Sequence, residues 1–242
     1  MADLRCDLLV IGAGPGGSSL AAAAAQRGFD VILVEQSRHP RPKACAEYAS
    51  PRIVEELGRI GLPPDAWSPA AVPLEGMRLF IDGIGGAPAS DLRYADAAGV
   101  RSAWGLDRRA FDALMAAHAA ASGARLLEET RLVALLHEGD RVTGAQLRGV
   151  DGDLRVVARG VVGADGARSR TARLLGVERA VRFPRRLGLV AHYSGLEELR
   201  RHGEMHVGRG LYIGLAPAPN GELNVGMALP MAGGKAGGAE DR

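Results

Sequence analysis

Two short glycine-rich turns carry the clearest chemical signal in these 242 residues. The first is Gly12-Ala13-Gly14-Pro15-Gly16-Gly17 and the second is Gly163-Ala164-Asp165-Gly166. Glycines at 12, 14 and 17 form a G-x-G-x-x-G spacing in which each has a separate task. Gly12 permits a tight turn out of a strand, Gly14 lets a pyrophosphate approach the backbone, and Gly17 lets a helix pack closely on a strand. Pro15 and Gly16 complete the turn, and the helix that follows aims its first N–H groups and its partial positive charge at the phosphates. Glu35, 18 positions after Gly17, is placed to accept hydrogen bonds from an adenosine ribose with a free 2′-hydroxyl. The chemistry is the holding of an ADP-containing dinucleotide. This unit by itself leaves NAD and FAD open, because both present ADP.

The elements that must position these groups are legible around them. Leu8-Leu9-Val10-Ile11 and Val31-Ile32-Leu33-Val34 are short continuous apolar runs, as expected of parallel strands buried on both faces. Between them Ser18 to Arg27 reads as an alanine-rich helix closed by Gly28. A Pro/Arg-rich loop follows Glu35. Ser50 then reads as an N-cap with Pro51 at the first helical position, and Ile53, Val54, Leu57 and Ile60 form an apolar stripe ending at Gly61. In the run from Trp104, Phe111, Leu114, Met115 and His118 recur at helical spacing up to Gly123, with His118 read as a core histidine. From Arg125 the period changes to two, with turns at 138–140 and 151–153, so 125–136, 141–149 and 154–160 read as a three-stranded meander. The second glycine turn leaves the strand ending at Val161-Val162 and enters a helix from Ser169 to Leu175, and residues 187–229 alternate again.

Composition narrows the function classes. Hydrophobic content of 47%, charged content of 24% and a net charge of +2 are those of a soluble globular protein. No aromatic–basic interleaving points to nucleic acid, and the short runs at 182–186 and 200–201 read as solvated surface. Cys6 and Cys45 are too few for a disulfide framework or a cysteine metal site. No apolar run reaches the ~18 residues of a membrane span. Residues 4–25 mimic a signal peptide, but Asp7 interrupts the apolar run and the glycine spacing explains the segment, so a cytoplasmic location is expected. His202, Glu204 and His206 sit at i, i+2 and i+4; sheet alternation explains them, and no metal is expected there. "MAGGKAGGAEDR" at 231–242 reads as a disordered tail.

Several of these segments together resemble the flavin-dependent oxidoreductases that include geranylgeranyl reductases and aromatic hydroxylases of the p-hydroxybenzoate hydroxylase type. Glu35-Gln36-Ser37-Arg38 resembles the family's ribose acid followed by an arginine. Lys43-Ala44-Cys45-Ala46-Glu47-Tyr48-Ala49-Ser50-Pro51 resembles its Lys-x-Cys-Gly-Glu-x-x-Ser-Pro segment. Ala46 stands where the family carries Gly, which argues against left-handed backbone at that position. Arg108, with Phe111 and Asp112, resembles the start of a family helix whose arginine reaches the cofactor's phosphate or ribose region, with Arg109 the second choice. "GADGARSRTARLLG" at 163–176 matches the signature Gly-Ala-Asp-Gly-x-x-Ser-x-x-Arg-x-x-Leu-Gly.

The resemblance implies FAD held by both glycine turns, the second as the far clamp on an extended cofactor, with NAD(P)H as visiting reductant. The implied cofactor-binding residues are Gly12, Gly14, Pro15, Gly16, Gly17, Glu35, Arg38, Cys45, Ala46, Arg108, Gly163, Asp165 and Gly166. Cys45 is either a neighbour of the flavin ring or a small packed thiol. Asp165 is expected to bond a ribose hydroxyl or to order water near the pyrophosphate.

The implied fold is α/β. A Rossmann-like FAD-binding domain with a three-stranded meander spans 1–75 and 100–180, and an additional antiparallel substrate-side sheet region spans 76–99 and 181–230. Candidate substrate residues are Tyr193, His206 and Tyr212. Tyr212 and Pro217 match the prenyl reductases' Tyr-x-Trp-x-Phe-Pro, while Gly214 and Ala216 replace its bulky pair, which argues against a halogenase and weighs against a long-chain isoprenoid substrate. The family's further Gly-Asp-Ala motif, which binds the flavin end, has no counterpart within these residues. Three readings stay open: a flavin-dependent hydroxylase of a hydrophobic or aromatic small molecule, a carbon–carbon double-bond reductase, and a non-catalytic nucleotide-binding module or half of a split enzyme that pairs with a separately encoded C-terminal half.

Overall fold

Strands whose residues are apolar without interruption need cover on both faces, and the first structural unit supplies it. A computed structural model describes residues 2–81, 87–96, 99–179, 186–195 and 201–230. The basic residues 182–185 and the tail 231–242 lie outside the described residues. Close Cα neighbours divide the chain into two units: Met1–Lys43, Ala49–Val72 and Leu106–Arg179 form one, and Ala44–Tyr48, Pro73–Gly105 and Ala180–Arg242 form the other. The sequence reading put residues 44–48, 73–75 and 100–105 in the nucleotide-binding domain; they group instead with the second unit.

In the first unit β1 (Ala2–Ile11), α1 (Pro15–Ala25) and β2 (Val31–Val34) follow one another directly. Helix α2 (Ile53–Arg59) begins two residues later than the Ser50-Pro51 signal predicts. After it come α3 (Arg108–Ala121), β3 (Arg125–Leu127), β4 (Arg131–Glu138), β5 (Arg141–Gly149), β6 (Gly152–Gly163) and the short α4 (Arg170–Leu174). The sheet order is β3-β2-β1-β6-β5-β4. The first three pairings are parallel and the last two antiparallel, so the meander is a continuation of the parallel sheet through β6.

Alternate residues of β1 and β2 point to opposite cores. Val10, Val31 and Leu33 join alanines of α1 and α3, which let both helices lie close to the sheet. Leu9, Ile11, Ile32 and Val34 join Leu132, Ala145, Leu147 and Val156 on the other face. Cys6 belongs to this second cluster; burial, aided by the charge of Asp30, pushes its thiol up to about 11, so it packs as an apolar group.

The structure corrects one strand. Residues 125–136 do not run continuously: 125–127 pair with β2 at the edge of the parallel sheet, and the meander starts at Arg131. Glu129, at φ 51°, turns the chain between them, and the Thr130 N–H donates to the Glu35 carbonyl at 2.9 Å. Period-two alternation marks both pieces as strand but carries no information about which partner each takes. Trp104 likewise belongs to a strand, Ala103–Leu106, ahead of α3, and Asp107 caps the helix by accepting from the N–H groups of Arg109 and Ala110.

The second unit holds a six-stranded sheet in the order Arg186–Ser194, Glu222–Pro230, Tyr212–Ala218, His202–Val207, Gly76–Ile81, Ser90–Arg93. All neighbours are antiparallel except His202–Val207 with Gly76–Ile81, which run parallel. The expected antiparallel sheet is therefore mixed. Among the described residues no helix is long and apolar enough to cross a membrane.

Truncation of Leu147, fully buried in the meander face, is expected to cost about 2–5 kcal/mol. Val150→Ala, at a side chain 75% exposed, is expected to stay within about 0.5 kcal/mol. Urea unfolding midpoints of the two variants check the contrast.

Candidate functional site: paired glycine turns and a buried charge network

β1 and β6 run parallel with Ile11 opposite Gly163, so both glycine turns leave the same edge of the sheet side by side. The Ala164 N–H donates to the Ile11 carbonyl at 2.7 Å. Gly12 has φ +106°, and a Cβ there would lie 2.5 Å from the Ala164 oxygen. A Cβ on Gly17 would overlap the Gly12 carbonyl oxygen. The second turn is thus the wall of the first. Linear separation of 151 positions concealed an adjacency created by strand pairing.

Gly14 and Gly16 behave differently. A Cβ at either would meet nothing within 4 Å, so both face open space at the N-terminus of α1. Gly14 is the N-cap, Pro15 occupies the first turn, and no side chain caps the helix. The uncapped N–H groups and the open glycine side form a cradle of the kind that takes phosphate. Lys43 adds a cation at the second turn: its Nζ would lie 3.6 Å from a Cβ on Gly166, itself at φ +78°.

Glu35 ends β2 as predicted and is buried. Its Oε2 accepts from the Ala13 N–H at 3.2 Å and its Oε1 from the Ser37 N–H at 3.1 Å. The cation beside it is Arg41, whose Nη2 donates to Oε2 at 3.0 Å. Arg38, the candidate chosen from the sequence, is exposed. Arg41 also lies 3.8 Å, by Nη1, from Asp112 Oδ2, and Asp112 receives both Nε and Nη2 of Arg108 at 2.7 and 2.9 Å. Side-chain exposures of 5% for Glu35, 14% for Arg41, 0% for Asp112 and 14% for Arg108 place the whole row inside. Arg108 is engaged with Asp112, while Arg109 is exposed.

Asp165 is engaged inward as well. Its carboxylate accepts from Ser169 Oγ at 2.6 Å, from the Thr171 N–H at 2.9 Å and from Thr171 Oγ1 at 3.1 Å. Burial alone would raise its pKa, but the hydrogen bonds from Ser169 and Thr171 outweigh burial and hold it below the ordinary carboxylate value. Ser169 in turn caps α4 through the Ala172 N–H. Asp165 shapes the turn that faces Gly12. His118 Nε2 lies 2.7 Å from the Ile60 carbonyl, in keeping with a packing role.

In the second unit the register sorts residues onto two faces, because directly opposed residues share a side. Tyr212, Gly214, Ala216, Asn224, Gly226, Met205 and His192 share one face. His206 and Tyr193 lie on the other, so the three candidate substrate residues do not converge. His206 is buried, stacked on Phe80 at 4.4 Å with its Nε2 3.0 Å from Glu204 Oε2; Tyr193 is 54% exposed. Among the described residues no group of three or more His, Cys, Asp or Glu is arranged to hold a metal.

Residues 44–48 lie against the Tyr212 face. Asn224 Nδ2, fully buried, donates to the Cys45 carbonyl at 3.0 Å, and Gly226 leaves room for Ala46. Glu47 is buried with Oε2 2.9 Å from His192 Nε2, and the Tyr48 hydroxyl donates to that of Tyr94. Burial and that hydrogen bond raise the Tyr48 pKa well above its ordinary value. Ala46 keeps ordinary backbone, and the left-handed residue is its neighbour Glu47, at φ 54°.

Gly14→Ala is expected to change stability by less than about 1 kcal/mol, since an N-cap glycine is replaced in open space, yet to weaken ADP binding. Gly17→Ala is expected to cost about 2 kcal/mol or more through the overlap with Gly12. Denaturant melts beside ADP titrations separate the two. Because the Asp165 pKa is depressed from 3.8, its stabilising contribution is present above about pH 4 and is lost as pH falls through the folded value. Asp165→Asn should lower stability at neutral pH and flatten the acid side of the stability–pH profile.

Comparison with known proteins agrees with this geometry. The digeranylgeranylglycerophospholipid reductase of Methanosarcina acetivorans is 31% identical over 231 residues, covering 92% of this chain and 54% of its own length. A geranylgeranyl bacteriochlorophyll reductase-like protein of Thermoplasma acidophilum superposes with a TM-score of 0.81 at 26% identity, over 95% of this chain and 57% of that one. The myxobacterial chondrochloren halogenase CndH gives 0.83 at 25% identity, over 94% and 53%. The chain thus spans about half the length of the curated relatives it matches. Residues 5–206 match the family described as FAD binding domain. With its paired glycine turns, the buried acid at the end of β2 and its mixed sheet, the chain belongs to that family of FAD-binding oxidoreductases.

Proposed function

We propose that the chain is the FAD-binding half of an oxidoreductase that saturates carbon–carbon double bonds in an apolar, prenyl-type substrate, drawing electrons from NAD(P)H. The observation that carries the reading is the glycine cradle at α1, walled by the second turn and flanked by Glu35. These residues fit FAD. Gly14, Gly16 and the first N–H groups of α1 would receive the pyrophosphate with Lys43 as a nearby cation, and Glu35 would accept from the adenosine ribose. A shallow cavity of about 350 Å³, lined by Gln36, Ser37, Glu129 and Arg131, begins immediately after Glu35 and suits the adenine.

When bound, the flavin supplies hydride chemistry, and the protein's contribution is position and electrostatics. For the substrate, the Tyr212 face of the second unit's sheet is the fitting surface. Gly214 leaves it low in the middle, while Met77, which lies over Gly203, and Leu79, Met205 and Tyr212 line it with apolar and aromatic groups. Gly214 and Ala216 stand where prenyl reductases carry a bulky pair, which widens that face. The names of the reductase relatives favour reduction over hydroxylation. Their greater length supports completion of the site by a further C-terminal segment, on this chain or another.

The test is a titration of the purified chain with FAD, followed by flavin fluorescence and absorbance near ~450 nm, then anaerobic turnover with NAD(P)H and a geranylgeranyl lipid, each with and without a C-terminal half. Saturable FAD uptake and mass gain from added hydrogen are expected. A hydroxylated product formed only under oxygen would replace reduction with oxygenation, and no FAD uptake under any of these conditions would remove the enzyme reading.

A further inference from the structure

The charge row in the first unit assigns a task to a residue that no motif marks. Glu35, Arg41, Asp112 and Arg108 alternate in sign and lie inside the protein. They come from three separate stretches of chain: the end of β2, the loop after it, and the first turns of α3. The row reaches the glycine turn through the Ala13 N–H on Glu35 Oε2. Arg41 is placed between two carboxylates, with one terminal nitrogen towards Glu35 and the other towards Asp112.

A carboxylate as buried as Glu35 requires compensation for the water it has lost. The two backbone donors supply part of it and set two of its acceptor directions. Arg41 supplies the countercharge, and its planar fork fixes the remaining orientation in a way a point charge does not. A ribose hydroxyl pair needs the carboxylate at a defined height above the glycine turn, and Arg41 sets that height through a shared contact on Oε2.

We propose that Arg41 is the positioning residue of the adenosine-ribose site: it orients Glu35 against the glycine turn and anchors it to α3 through Asp112. Arg38, three residues earlier, has no part in this. The inference rests on the reading that the cradle takes the ADP portion of FAD. It differs from that reading in concerning how the ribose acid is held, so the two fail separately.

The experiment measures FAD, ADP and 2′-deoxy-ADP affinities for the whole chain and for Arg41→Met, Arg41→Lys, Arg38→Met, Glu35→Gln and the Arg41→Met/Glu35→Gln pair, beside ligand-free thermal melts. Loss of Arg41 should weaken FAD and ADP alike by about ten- to hundredfold, the range for a charged hydrogen bond. It should also shrink the preference for ADP over 2′-deoxy-ADP. Arg41→Lys should recover part of the affinity, and Arg38→Met should change nothing. In the double variant the Arg41 substitution should add little, because its effect passes through Glu35. If Arg41→Met lowers only the melting temperature and leaves nucleotide affinity and ribose preference intact, Arg41 is structural and the proposal falls. Should Arg41→Met fail to fold, an Arg41→Lys variant with wild-type affinity and ribose preference, or a loss shared equally with Arg38→Met, overturns it in the same way. A wild-type chain that binds neither FAD nor ADP removes the cofactor reading instead.

Discussion

The parallel pairing of β1 with β6, with Ile11 opposite Gly163, is the constraint on which the first unit depends. Parallel neighbours leave a sheet at the same edge, and ligands of open α/β sheets bind outside that edge. Here both strands end in glycine turns, locked together by the Ala164 N–H on the Ile11 carbonyl. The contact is close enough to exclude any side chain at Gly12, and the Gly12 carbonyl excludes one at Gly17. Gly14 and Gly16 are glycines for the opposite reason, since the space beside them is open. One short motif thus contains two kinds of glycine, one required by the protein's own packing and one beside open space.

The same edge explains why charge can be buried there. Isolated carboxylates in an apolar interior are strongly disfavoured, so Glu35 and Asp112 are tolerated only as members of an alternating row with Arg41 and Arg108. The row ties α3 to the end of β2, two elements that the chain separates by more than 70 positions. Asp165 shows a different solution. It caps its own local turn through Ser169 and Thr171, which stiffens the wall facing Gly12.

In the second unit the strict two-residue period of a sheet divides the side chains. His206 and Glu204 are buried against Phe80 on one face, whereas Tyr212, Gly214 and Ala216 share the other with the Cys45–Glu47 segment. Small residues stand at the centre of that second face, and the missing side chain of Gly226 makes room for Ala46.

Local signals in the sequence were sufficient for much of this. Uninterrupted apolar runs specified β2 to the residue, Gly28 and Gly123 marked helix ends, and the spacing of Gly12, Gly14, Gly17 and Glu35 marked the glycine turn with the acid seated beside it. All of these are effects within a few residues or within one βαβ unit, where chain geometry itself dictates the outcome. Tertiary structure decided what depended on partners distant in the chain. It paired 125–127 with β2, set the second glycine turn against the first, and placed Tyr193 and His206 on the face away from Tyr212. It also chose Arg41 over Arg38 as the partner of Glu35. Two arginines three residues apart in an irregular loop look equivalent in sequence, and only the path of the backbone determines which one is carried inward to a buried carboxylate.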